Sequence, residues 1–119
     1  MKFHTKIFVD ANTELADLIT RLSKLVDGTV SIDTVLTNAL ELDVKRNDLG
    51  PSASHNIDDG FLAYGFTVEI VNTVDMRFDL YLEAVGDIMM NLNERGHSVV
   101  ASCDWEEKLP GCGRIIVSN

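Results

Sequence analysis

The residues able to do chemistry in this chain are few, and their spacing works against most reactions they could share. Cys103 is the best nucleophile, and His97 is the histidine nearest to it. On a single strand, six residues would separate the two by about 20 Å, which excludes a dyad between them. His4 would reach Cys103 only across neighbouring strands, and nucleophile and base must lie within hydrogen-bond reach. His4 reads more simply as a strand residue on the less buried face. His97 reads as a polar residue just after a helix end, where a cation is mildly favoured. His55, Asp58 and Asp59 offer three ligands on one loop, fewer than a closed structural metal site takes. A solvated turn is the simpler reading of that cluster.

Cys103 and Cys112 have no accompanying Cys or His pair at zinc-knuckle spacing. In a reducing cytoplasm both are expected to be free thiols. Cys103 sits in an apolar run and reads as a small core residue. Cys112, between Gly111 and Gly113, reads as an exposed turn residue. There is no phosphate-cradling glycine motif, no Gly-x-Ser-x-Gly elbow, no EF-hand loop and no His-Glu-x-x-His helix. The sequence therefore assigns no catalytic residue, no metal and no cofactor.

The most informative segment is Asp104-Trp105-Glu106-Glu107-Lys108-Leu109, which holds the one tryptophan among three carboxylates. Aromatics ringed by charge are frequent interface anchors. The alternative is that the indole closes one end of the core while its N–H finds a partner. The charge has a direction along the chain. Residues 1–46 carry seven acids and six bases, whereas residues 47–119 carry twelve and four, so nearly all of the net −9 lies in the second part. Such a surface repels phosphate backbones, which argues against direct nucleic-acid binding. It attracts a basic protein and speeds the encounter. The candidate partner-binding residues are Asp104, Trp105, Glu106, Glu107 and Asp75 at one end, and Asp48, Asp58 and Asp59 in an acidic loop. Asp27 and Asp33 are expected near the Trp105 end.

These residues need a scaffold, and the apolar pattern supplies one. At 119 residues the chain makes one domain, 1–119, with a core that needs no metal or disulfide support. Residues 2–9 alternate, with Phe3, Thr5, Ile7 and Val9 on one face, so they read as a strand. Leu15, Leu18, Ile19, Leu22, Leu25 and Val26 follow at helical spacing. Asp10, Asn12 and Thr13 are available as caps, and Gly28 could end the helix in a left-handed turn. Residues 29–34 are ambiguous. A second strand covers 40–45 and starts no earlier than Val35. Residues 46–60 are turn-rich, and a third strand follows over 62–70.

A second helix carries Phe78, Tyr81, Leu82, Val85, Met89 and Leu92 on one stripe, with Asn72, Thr73 and Asp75 as candidate caps. Gly86 inside it costs about 1 kcal/mol against Ala, which fits either close packing there or chance tolerance. Gly96 stops this helix. Residues 97–103 form a fourth strand, and RIIVS (114–118) can add a short fifth. The order β-α-β-β-α-β predicts an α+β, ferredoxin-like sandwich with a mostly antiparallel sheet and both helices on one face.

The segments LELDVKRND (40–48), DGFLAYGFTVEI (59–70) and VVASCDWEEKLP (99–110) resemble a group of small bacterial α/β proteins without assigned activity. In size, acidity and compact build the chain resembles the immunity proteins of contact-dependent growth inhibition and other polymorphic toxin systems. That resemblance implies a non-enzymatic protein, monomer or homodimer, that covers a cognate basic toxin domain such as a nuclease. The alternative is a small-ligand-binding or regulatory domain acting as a dimer. No apolar run approaches the roughly 20 residues of a membrane span. The first residues lack the pattern of a secretion signal, so the expected compartment is the cytoplasm.

Overall fold

The computed structural model describes residues 1–47 and 64–117. Asp48, His55, Asp58 and Asp59 lie outside the described residues, as do the first residues of the expected third strand. The elements are β1 (His4–Asp10), α1 (Leu15–Leu25), β2 (Thr29–Ser31), β3 (Thr34–Leu36), β4 (Leu40–Arg46), β5 (Phe66–Asn72), α2 (Phe78–Glu94), β6 (Ser98–Ser102), two short 3-10 turns (Glu106–Lys108 and Pro110–Gly113) and β7 (Arg114–Ile115). The strands form one seven-stranded sheet in the order β2-β3-β4-β5-β1-β6-β7. Every neighbouring pair is antiparallel.

Alternation in the sequence becomes a two-faced sheet because the register aligns the apolar rows. Ile7 sits opposite Val68 on one side and Ala101 on the other, and Val68 sits opposite Val44. All four are buried, and they join Leu18, Ile19 and Leu22 of α1 and Tyr81, Val85, Ile88, Met89 and Leu92 of α2 in one core. Both helices therefore cover the same face. Burying each of these larger side chains stabilises the fold by roughly 1.5–3 kcal/mol. The opposite face carries the alternate residues, with Lys6, Glu69 and Asp43 in one cross-strand row.

The six-element order expected from the sequence does not describe this sheet. β2 and β3 stand between α1 and β4, and β7 lies beyond β6, so strand count and order both differ. The ambiguous residues 29–34 belong to a hairpin whose two-residue turn is Ile32-Asp33. Val35 is not the start of the second strand but the middle of β3. The chain reverses over 37–39, where the Thr37 hydroxyl accepts the backbone N–H groups of Ala39 and Leu40. β7 is the expected short strand at the sheet edge, paired to β6 through Val99–Ile115 and Val100–Arg114.

The helix ends also depart from expectation. The N-cap of α1 is Glu14 and that of α2 is Arg77, and neither makes a side-chain capping bond. The candidate cap Asn72 works elsewhere, with Oδ1 accepting the Phe3 N–H at 2.6 Å and Nδ2 donating to Met1 and Val74 carbonyls. At the end of α1 the left-handed residue is Asp27 (φ 54°), not Gly28. The Gly28 N–H closes on the Ser23 carbonyl, the bond pattern of a Schellman end. Gly28 is needed for space, since a Cβ there would lie 2.7 Å from Val35 and 2.9 Å from the Leu36 carbonyl oxygen. α2 ends as expected, with Gly96 at φ 92°. Gly86 faces Pro110, 3.3 Å from the position of an added Cβ, which favours close packing over chance tolerance.

Candidate functional site

One end of the sheet is closed by aromatics. Phe3 lies just before β1, Phe78 and Tyr81 stand on the first turn of α2, and Trp105 follows β6. The Trp105 ring meets Phe78 at 5.2 Å, Phe3 at 6.0 Å and Tyr81 at 6.1 Å, each near edge-on. Such contacts are worth about 0.5–1.5 kcal/mol apiece. A polar chain runs beneath them. Trp105 Nε1 donates to Thr5 Oγ1 at 3.3 Å, Thr5 and Tyr81 hydroxyls are 2.9 Å apart, and the Tyr81 hydroxyl donates to the Ile70 carbonyl at 2.7 Å. Because Tyr81 spends its proton on Ile70, Thr5 is the donor to Tyr81. Burial pushes the Tyr81 phenol up to about 12.

Phe3, Phe78 and Trp105 also wall a groove of about 720 Å³, together with His4, Ser102, Cys103 and Asp104 and the first two residues. Trp105 is half-buried. Its indole N–H is bonded and its ring packs against the core, as the core-closing reading expects, and the same residue lines the groove. Asp104, Glu106 and Glu107 are exposed, and none makes an ion pair among the described residues. Asp75 is at the same end, but its carboxylate is bound to the Met1 ammonium at 2.7 Å, which holds its pKa below the ordinary value. Asp33 is not at this end. Its carbonyl accepts the Val44 N–H near the far end of β4.

Cys103 lines the groove, and burial raises its thiol pKa, with the Trp105 backbone N–H acting the other way. It is therefore a protonated thiol near neutrality and a poor nucleophile. Cys103 and Cys112 are both free, the second exposed. His4 leans toward Glu69 at 3.8 Å. Among the described residues no three His, Cys, Asp or Glu side chains could hold a metal ion. No described helix is long and apolar enough to cross a membrane.

Sequence reasoning missed two parts of this end. Phe3 and Phe78 as groove walls depend on tertiary packing and leave no local signal. The exposed acids of α2 were legible but unused. Asp79, Glu83 and Asp87 recur every four residues on the solvent side of the helix, a spacing that places them on one stripe.

Fold and site together define an α+β domain with an aromatic-walled groove and unpaired carboxylates at one end of an open antiparallel sheet. No protein-family model, no curated protein and no solved structure matches this chain.

Proposed function

We propose that the chain is a cytoplasmic immunity protein that binds and neutralises a basic toxin domain, a nuclease being the first candidate. The observation that carries this reading is the segment 104–107. It joins a half-buried Trp105 lining a groove to three exposed carboxylates to which no cation is bound among the described residues. An apolar side chain of the partner would enter the groove, and its Lys or Arg residues would meet Asp104, Glu106 and Glu107. Central aromatics with a charged rim dominate many such contacts, and opposite charge speeds association. Glu83 and Asp87 of α2 add further negative charge, while Asp79 is paired with Arg77 at 2.7 Å.

The test is co-expression of the full chain with the basic protein encoded by the adjacent reading frame. A stable complex on gel filtration and rescue of growth are expected. Trp105→Ala and the triple change Asp104→Lys, Glu106→Lys, Glu107→Lys should each weaken the complex about tenfold or more. Lack of both complex and protection would remove the idea.

A second reading takes the inner strands β4-β5-β1-β6 with α1 and α2 as a ferredoxin-like sandwich serving ligand binding or dimerisation. The order of those four strands and the placing of both helices on one face favour it. It predicts a thermal shift with a small molecule and no need for a protein partner. Fold alone does not choose between the readings.

A further inference from the structure

α1 and α2 border a groove of about 440 Å³ whose lining includes Asp17, Arg21, Lys24, Asn91 and Arg95. Its cations are unusual for a chain with nineteen acids and ten Lys and Arg residues. Among the described residues Arg21, Lys24 and Arg95 make no ion pair. Both guanidinium groups are nevertheless held in place, and by neutral acceptors. Arg21 Nη1 is 2.7 Å from Nε2 of His97, and Arg95 Nε donates to Asn91 Oδ1 at 3.2 Å. For Arg21 to donate, His97 must be neutral at Nε2. Burial favours that form, as do the charges of Arg21 and Arg95, while Asp10 opposes it.

A carboxylate partner would cancel an arginine's charge. A neutral partner fixes the fork and leaves the charge and the other N–H donors for something else. Three cations against one carboxylate, Asp17, leave two positive charges in the groove. The net charge of the whole chain works against an anion, but physiological salt screens exposed charges beyond about 8 Å. The local cations therefore decide.

We propose that the α1–α2 groove binds a phosphate dianion, with Arg21 and Arg95 as oriented forks and Lys24 as the third charge. The groove volume admits a small phosphorylated molecule as well as the free ion. This site shares no residue with the Trp105 groove and stands whether or not the partner-binding reading holds.

The experiment is an NMR titration of the full 15N-labelled chain at pH 7.5 and constant ionic strength. The probes are inorganic phosphate and, in a parallel arm, glycerol 3-phosphate. Saturable shifts confined to amides of residues 13–25 and 91–97 are expected. Tighter binding of the ester would assign a phosphorylated small molecule, and tighter binding of the inorganic ion would assign free phosphate. The double variant Arg21→Gln, Arg95→Gln should bind about tenfold more weakly or worse, as expected for lost charge-assisted bonds. Lys24→Gln removes an exposed side chain with no partner, so it keeps the fold and should still weaken binding about threefold. Shifts that never saturate and spread over the whole surface would overturn the proposal, as would a Lys24→Gln chain that binds like the parent.

Discussion

Thr5 and Trp105, one hundred residues apart in the chain, meet through a hydrogen bond from the indole N–H to the Thr5 hydroxyl. This contact ties the start of β1 to the segment that carries the candidate binding residues. Thr5 is fully buried and also donates to Tyr81. Thr5→Val keeps the shape and removes both bonds, so it should cost about 1–3 kcal/mol in urea unfolding. Thr5→Ser keeps the hydroxyl and should lose less. Equal losses for the two variants would show that the hydroxyl does not join the two segments.

The other end of that chain of bonds predicts alkaline behaviour. Burial raises the Tyr81 phenol to about 12, above the unfolded value near 10. A raised folded pKa means that the folded state holds the proton more tightly. The stabilisation is complete below pH 10 and is lost as pH rises through about 12. Burial raises Tyr64 as well. Absorbance at 295 nm should therefore show neither tyrosine ionising at its ordinary pH while the fold lasts. Tyr81→Phe should flatten the loss of stability between pH 10 and 12.

His97 predicts the acid side. Its folded pKa is lowered from 6.5, first by burial and then by Arg21. The unfolded chain then takes up the proton first. The contribution is intact above pH 6.5 and is lost as pH falls through the lowered folded value. His97→Gln keeps a neutral acceptor for Arg21 and cannot titrate. Its midpoint of chemical unfolding should vary less between pH 7 and pH 5 than that of the parent, and an unchanged slope would refute the assignment.

Two turn positions should respond in opposite directions. Ile32 is a β-branched residue at φ 56° with its side chain 90% exposed. That conformation costs roughly 1–3 kcal/mol, and Asn tolerates it better. Ile32→Asn should therefore raise stability by about 1 kcal/mol and Tm by roughly 4 °C. Gly28→Ala pushes a methyl into Val35 and the Leu36 carbonyl and should cost about 1–3 kcal/mol. Thermal unfolding by circular dichroism compares both with the parent.

These same residues explain which features the sequence made legible. β4 could be read because one buried face imposes a period of two, as in Leu40, Leu42 and Val44, whereas β6 could be read as a short apolar run buried on both faces. The helices could be read because Leu18, Ile19 and Leu22 repeat at helical spacing. The β2–β3 hairpin could not, since its turn places Ile32 where turn chemistry favours Gly or Asn. The helix starts misled because good capping residues were present, and Asn72 was drawn into a long-range bond to Phe3. At the candidate site, the Trp105 segment stood out by composition. The α1–α2 groove did not, because Arg21, Lys24 and Arg95 meet only when the two helices pack on one face.

The two thiols offer a direct check on the Trp105 end. Cys112 is exposed in a left-handed turn at φ 56°. Cys103 is half-buried beside Trp105, and burial raises its pKa. Thiolate is the reactive form, so a raised pKa and restricted access both slow Cys103. Reaction with a disulfide reagent at pH 8 should show one fast thiol and one slow thiol, the fast phase vanishing in Cys112→Ser. A bound partner covering the Trp105 groove should slow the remaining phase further and leave Cys112 unaffected. Two equally fast thiols would mean that the aromatic end opens freely in solution, and the groove would then be no fixed surface for a partner to recognise.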